Sequence, residues 1–418
     1  MNILILTDYF FPSEAVAVRR FLAWVKYWRM SGAQISVVSS QGVIELPDTI
    51  DQSGVLLYCL DKTNTRSSVD RNVLKTHRFL KRNLFGSLLE PRVLKTKSFY
   101  NLAIQALKDR AIDVVVSSYP SFVPHLVAHN LKKIFPNILW FADFRDIWAR
   151  SPVNPGSLIS QFVELQVEKR ILNDADAIVT VSQPLMDYLK SIHKQKVFLY
   201  SNGIDPDEFM LRKMTVVGKE QIRSNRIIFT GTIAKGVYDL QPLFDAVKEM
   251  FNLGLIVSEK DITIAFYGDH EAIDKKRLTR DGIVGFFEFI DRVPREEILK
   301  AQEQALGLLF FGSCANRGVV PEGILTGKLF EYLSSGTKII AINTTPNDPV
   351  GKLLVKTRTG ICVGSDVEKI VDVIQNLIND SKYVLDIQEE QLDSLMTDRI
   401  SQLYFKKMQL FVEHRDVK

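Results

Sequence analysis

Cysteine is scarce in this chain: Cys59, Cys314 and Cys362 are the three among 418 residues, far apart and never in a CxxC spacing. That excludes a disulfide framework or a cysteine-built zinc site and leaves packing as their expected role. Histidine is also rare, with six in all. His125 and His129 stand four apart on an expected helix, the spacing of a two-histidine metal face, but no third ligand accompanies them and no metal is assigned. No stretch approaches the run of about 18 apolar residues that a bilayer-spanning helix needs. The opening MNILILTDYFFP lacks a basic lead and a small-residue cleavage site. It therefore reads as a first strand rather than a signal peptide, and a cytoplasmic location is expected. No GxGxxG follows that strand, which disfavours an NAD-linked oxidoreductase. Low-complexity tracts and short-period repeats are missing too.

What is present is a globular composition, 46% hydrophobic, over a length that suggests two domains. The net charge of +4 hides an asymmetry. Residues 1–200 hold 25 Lys plus Arg against 17 Asp plus Glu, and the remainder 28 against 32. The excess concentrates between Lys62 and Lys97, where ten basic residues face only Asp70 and Glu90.

Apolar strands alternate with helical spacings along the whole chain. NILIL, a loop, a helix from about Arg19 to Met30, Gly32 and QISVVSS form one βαβ unit. DVVVSS, ILWFA and AIVTVS continue the rhythm, and VFLYSNGIDPDEF closes the first half. RIIFTGT restarts it, followed by ITIAFYGD, VGFFEFIDRV, ALGLLFFG, KIIAI and GICV. The pattern predicts two parallel-sheet α/β domains, 1–205 and 206–394. Residues from about 389 to 412 add a last helical spacing. Doubly wound domains facing across a cleft bind ligands at the carboxyl ends of their strands, so the residues ending those strands are the candidates.

The segment PEGILTGKLFEYLSSGTKIIAI, 321–342, is the most informative. Leu329, Tyr332 and Leu333 recur at core-facing spacing, which leaves Lys328 and Glu331 on a neighbouring stripe before the helix stop at Gly336. A carboxylate there can accept both hydroxyls of a cis-diol such as ribose, and an ammonium can meet a diphosphate as a point charge. The competing reading is a solvated i, i+3 ion pair. Asp143, Arg145 and Asp146 follow the strand ILWFA and bring acid, base and charge functions to a strand end. For these the competing reading is a buried Asp–Arg pair that fixes a loop.

Taken in order, NILILTDYFFPSE, WFADFRDIWARSP, DADAIVTVS, SNGIDPDEF, FTGTIAKG, FIDRVPREEI and KLFEYLSSGTKIIA resemble GT-B fold glycosyltransferases of the family 4 type found in bacterial polysaccharide assembly. The resemblance covers nearly the whole chain. It implies two Rossmann-like domains, an acceptor-side one first and a nucleotide-sugar one second, with residues 395–418 crossing back to the first. It further implies a nucleoside diphosphate sugar donor, UDP-sugar foremost, transfer with retention, and a lipid-linked glycan acceptor in capsule, O-antigen or exopolysaccharide synthesis. No metal cofactor is implied. Residue by residue, Glu331 resembles the carboxylate on the ribose and Lys235 the lysine on the diphosphate. Arg292, Val293 and Pro294 resemble the loop over the base, and Asp143 and Asp146 the groups facing acceptor or donor sugar, with Arg145 structural or phosphate-facing.

Three positions depart from the family pattern. Glu14-Ala15-Val16-Ala17 stands where a Gly-Gly pair often follows the first strand, Gly323 where a carboxylate often precedes Glu331 by eight, and Thr232 where an arginine often follows the phosphate-loop glycine. Glu322, one residue early, is the candidate substitute for the missing carboxylate. These departures keep open a non-catalytic sugar-nucleotide-binding subunit, and the architecture keeps open a sugar-nucleotide epimerase. In the basic segment, Val73, Leu80 and Leu84 share a helical face ringed by Lys75, Arg78, Lys81 and Arg82. Residues 71–97 can thus seat the protein on an anionic membrane, or simply form a solvated helix. Few aromatics interleave with these charges, so no nucleic-acid partner is expected.

Overall fold

The computed structural model describes residues 1–13, 17–41, 44–60, 93, 95–150, 157–215, 223–233, 236–312 and 325–416. The chain divides into two compact units: Met1–Ser201 together with Thr397–Lys418, and Asn202–Met396.

Unit 1 carries the strands β1 (Asn2–Thr7), β2 (Gln34–Ser39), β3 (Val55–Cys59), β4 (Val114–Tyr119), β5 (Leu139–Phe144), β6 (Ala177–Thr180) and β7 (Lys196–Leu199). They form one parallel sheet in the order β3-β2-β1-β4-β5-β6-β7. Its helices are α1 (Ala17–Met30), α2 (Thr96–Asp109), α3 (Val123–Ile134), α4 (Leu158–Leu172) and α5 (Gln183–Ile192). A parallel sheet covered on both faces needs strands apolar on both faces. NILILT and VVVSSY meet that need: the interior residues of β1 and all of β4 are buried.

Unit 2 begins with α6 (Pro206–Thr215) and carries β8 (Arg226–Thr230), β9 (Thr263–Tyr267), β10 (Phe287–Ile290), β11 (Gly307–Phe311), β12 (Ile339–Ile342) and β13 (Gly360–Gly364). The order β10-β9-β8-β11-β12-β13 is again wholly parallel. Between and after these strands run α7 (Gln241–Asn252), α8 (Lys275–Arg280), α9 (Arg295–Gln304), α10 (Gly327–Leu333), α11 (Pro349–Thr357), α12 (Val367–Asn379) and α13 (Glu389–Asp393). Two apolar cores sandwich the sheet. One contains Phe229, Phe244, Val247 and Ile374, the other Ile228, Phe330, Tyr332 and Leu354.

The final helical spacing is two helices. α13 ends in unit 2, where Met396 bridges Ile204 and Ile204 N–H donates to Leu395 O at 2.8 Å. α14 (Thr397–Asp416) belongs to unit 1, where Tyr404, Phe405 and Met408 enter the core beside Trp24 and Trp28. Leu403 and Leu410 of the same helix are exposed. Among the described residues no helix is long and apolar enough to cross a membrane.

In each sheet the strand order reverses direction beside the unit's first strand, between β1 and β4 in unit 1 and between β8 and β11 in unit 2. At such a reversal the loops leaving the two strands diverge to opposite faces and open a crevice at the carboxyl ends.

Candidate functional site

In unit 2 the reversal lies where β8 ends at Thr230 and Gly231. Gly231 has φ +120°, and a Cβ there would lie 3.0 Å from Lys328 Nζ. Gly268, after β9, has φ +111°, and its Cβ would lie 2.7 Å from Gly231 O. Only glycine fits both positions, so the backbone leaving β8 stays bare and close to the lysine. Tyr332 pins this turn from α10, its hydroxyl accepting from Thr230 N–H at 2.9 Å.

Lys328 lies 3.5 Å above the Phe229 ring. Burial pushes its ammonium pKa down to about 7, with Glu331 pulling the other way. The competing reading of a solvated i, i+3 ion pair does not hold: Lys328 sits over an aromatic ring, and the Glu331 side chain, 10% exposed, pairs with Arg295.

Glu331 is held from α9. Arg295 Nη1 donates to Oε2 at 2.9 Å, and Gln302 Nε2 donates to Oε1. Arg295 also pairs with Glu208 of α6. Arg212, almost fully buried, donates to Glu331 O at 3.1 Å, Ser334 Oγ at 3.2 Å and Gln302 Oε1 at 3.2 Å. Sequence reasoning missed Arg295, Gln302 and Arg212. Arg295 carried a readable signal: a cation at the first position of a helix opposes the dipole and implies a carboxylate partner.

The other unit 2 candidates differ in setting. Thr232 is exposed beside Gly231, as are Arg292 and Pro294 in the loop entering α9, while Val293 packs on the core. Lys235 and Glu322 lie outside the described residues.

In unit 1, β5 carries Asp143, which is fully buried. Arg20 of α1 donates to its Oδ1 at 2.8 Å and Ser118 Oγ to its Oδ2 at 2.8 Å. The buried ion pair considered from sequence thus has Arg20 as its cation rather than Arg145. Arg20 further donates to Ser201 O at 2.9 Å and lies over the Trp24 ring. Arg145 donates to Ser118 Oγ at 3.3 Å and lies over Phe21; burial lowers its guanidinium pKa, with Asp143 and Asp146 opposing. Asp146 is exposed at its surface, yet the protein around it raises its carboxyl pKa, with Arg145 pulling down. Glu14 lies outside the described residues, as do Lys75, Arg78, Lys81 and Arg82.

His125 is buried with Nδ1 2.7 Å from Ser117 Oγ, and burial lowers its pKa to about 3. His129 pairs with Asp174, and Asp176 with Lys132. Among the described residues no group of three or more His, Cys, Asp or Glu is placed to hold a metal ion.

Two wholly parallel Rossmann-like units, each with a reversal crevice, define the GT-B class of fold. Residues 17–208 match the family model described as Glycosyltransferase Family 4. The sucrose-phosphate synthase of Thermosynechococcus elongatus superposes with a TM-score of 0.62 at 15% identity, over 99% of this chain and 100% of that one. An α,α-trehalose-phosphate synthase (UDP-forming) from Burkholderia xenovorans, in complex with glucose-6-phosphate, gives 0.61 at 11% identity, over 98% and 100%. The lipopolysaccharide outer core galactosyltransferase WaaB gives 0.55 at 12%, over 97% and 98%. Among curated proteins none matches the sequence significantly. The resemblance to GT-B glycosyltransferases of the family 4 type therefore stands in both sequence and fold.

Proposed function

We propose that this protein is a glycosyltransferase that moves a sugar from a nucleoside diphosphate donor, UDP-sugar foremost, to a lipid-linked glycan in bacterial polysaccharide assembly. The observation that carries the proposal is the placement of Lys328, with Glu331 one turn along the same helix, beside the bare Gly231 turn at the reversal point of unit 2. A partly desolvated ammonium beside a backbone without side chains suits a diphosphate, and a carboxylate held by two donors suits ribose hydroxyls. Lys235, four residues after Gly231 in sequence, supplies a second cation, so charge developing on the departing diphosphate is met by positive groups. Residues 206–394 carry the donor and residues 1–205 the acceptor, with 395–418 returning to the latter.

On the acceptor side, exposed Asp146 and its neighbour Arg145 contact the incoming glycan. Asp143 acts through Arg20, fixing the strand end that carries them. Retention follows if the acceptor hydroxyl attacks from the face that the diphosphate leaves, with a diphosphate oxygen taking the proton. Residues 71–97 hold the protein to the anionic inner face of the membrane, where the acceptor resides.

The test is release of nucleoside diphosphate from UDP-, GDP- and dTDP-sugars with and without a membrane-lipid extract containing a validated acceptor. Acceptor-dependent release that falls at least tenfold in Glu331→Ala and in Lys235→Ala is the expected result. Donor binding without release makes the protein a non-catalytic sugar-nucleotide-binding subunit, and conversion of the donor without acceptor makes it an epimerase.

A further inference from the structure

We propose that the exposed face of α4 is a membrane-contact surface, its first turns inserting Leu158, Ile159 and Phe162 into an anionic bilayer while Lys169 and Arg170 meet the lipid phosphates. It rests on the membrane setting proposed above and names the part of unit 1 that meets the bilayer.

At about 100° per residue, Leu158, Ile159, Phe162, Gln166, Lys169 and Arg170 fall within one arc of roughly 120° on α4, and every one of them is exposed. Ser160, Glu164, Leu165, Glu168, Ile171 and Leu172 fill the opposite arc and are buried. The helix thus reverses the usual division between its faces: three large apolar side chains stay in solvent while both of its carboxylates go inside. Leu158, Ile159 and Phe162 are 83%, 63% and 62% exposed, too much for side chains that merely edge a core. Glu168 is held in its inward position, accepting from Ala149 N–H at 2.8 Å and lying 2.8 Å from His193 Nε2. The start of the helix is fixed as well, because Ser157 Oγ accepts from Ser160 N–H at 3.2 Å.

Three such side chains in one short stretch of helix make a contiguous patch, which singly scattered exposed residues do not. An apolar patch by itself fits a protein as well as a lipid. What selects the lipid is the charge beside it: the exposed arc holds two cations and no carboxylate, so an anionic surface attracts it and no part of it is repelled. Phe162 and Lys169 are separated by about 10 Å along the axis, so a helix lying on the bilayer seats its apolar turns at the acyl boundary and its cations among the headgroups. The position in the fold agrees. α4 joins β5 to the parallel neighbour β6, so it starts at the carboxyl end of the sheet, the end that carries exposed Asp146. A bilayer at this face presents the glycan of a lipid-linked acceptor to that strand end.

The test uses the full-length protein and vesicles of phosphatidylcholine, alone or mixed equally with phosphatidylglycerol. Wild type is expected to bind the mixed vesicles about twentyfold more tightly than the neutral ones, and Lys169→Gln with Arg170→Gln to lose about fivefold per cation. Leu158→Ser with Phe162→Ser should weaken binding about tenfold or more. All four side chains are exposed, so the urea midpoints should stay at the wild-type value. Insertion is read directly in Phe162→Trp. Trp24, Trp28, Trp140 and Trp148 are at most 1% exposed, so quenching by brominated lipid reports the new ring alone. That variant should be quenched on mixed vesicles and wild type should not. If wild type binds the vesicles but Phe162→Trp is not quenched, or the serine variant binds as wild type does, the inference is overturned and the membrane contact belongs to another part of the chain, such as residues 71–97. A dimer that dissociates in the serine variant also overturns it, the face then being a contact between two copies. Failure of wild type to bind either vesicle overturns it together with the membrane setting, while donor release with a detergent-solubilised acceptor still decides the transferase.

Discussion

Lys328 shows how one side chain's surroundings set both its chemistry and its cost. An ammonium over the Phe229 ring, with most of its water removed, is less stable than in the unfolded chain, and its pKa falls to about 7 from 10.5. Between those two values the unfolded chain binds a proton that the folded one does not, so this group makes stability rise with pH; below about 7 its penalty is complete. Lys328→Met should therefore stabilise the fold more at pH 6 than at pH 9, by up to about 2 kcal/mol in the difference, read from urea unfolding at the two pH values. Binding should respond in the opposite sense. A diphosphate needs the ammonium, so wild-type affinity for a nucleotide sugar should fall as pH rises through about 7, whereas the Lys328→Met variant should bind weakly at both ends of that range. A wild type whose affinity is flat from pH 6 to pH 9 would remove Lys328 from the donor site.

At the scale of elements, the turn after β8 depends on two close backbone approaches, and Gly268 tests it. A Cβ at Gly268 would press on Gly231 O at 2.7 Å, and its φ of +111° disfavours any other residue. Gly268→Ala should destabilise the protein by about 2 kcal/mol or more and raise KM for the donor by displacing Gly231 from Lys328. Gly254, with φ +69° and nothing within 4 Å of a built Cβ, is the control: Gly254→Ala should cost about 1 kcal/mol and leave KM alone. Equal effects on KM would show that the close approach does not shape the site. The strands around this turn were legible in the sequence because a doubly covered parallel sheet writes itself as apolar runs such as RIIFT and GLLFF, and the runs came in the alternation that two such sheets require. Lys328 and Glu331 were legible because their spacing is local. Their partners were not: Arg295 reaches Glu331 from 36 residues away and Arg212 from 119, distances at which no helical periodicity operates. The break between α13 and α14 was hidden for a similar reason. Apolar residues recur through 392–410 without interruption, and only the long-range bridge of Met396 to Ile204 shows where one unit stops.

At the scale of the whole molecule, the chain returns at its end to the unit with which it began, so unit 1 is assembled from segments nearly 200 residues apart. The returning helix contributes to the core rather than covering it. Tyr404 is fully buried against Trp24, Trp28 and Tyr200, with ring centroids 5.6, 5.3 and 4.8 Å away, and Trp28 Nε1 donates to Ser401 O at 2.9 Å. Arg20, which holds Asp143, lies over the same Trp24 ring, so the aromatic cluster under α14 also backs the polar network at the end of β5. Removing the Tyr404 ring should cost about 3–5 kcal/mol, the usual range for emptying an aromatic core site. Leu410 on the same helix is 45% exposed and should tolerate Leu410→Ala within about 0.5 kcal/mol. Hydrogen exchange separates the consequences by unit: Tyr404→Ala should lower amide protection in β1, β4 and β5 while β8, β9 and β11 keep theirs. Protection lost equally in both sheets would mean that the two units unfold as one, and that α14 stabilises the whole chain rather than the unit whose core it completes.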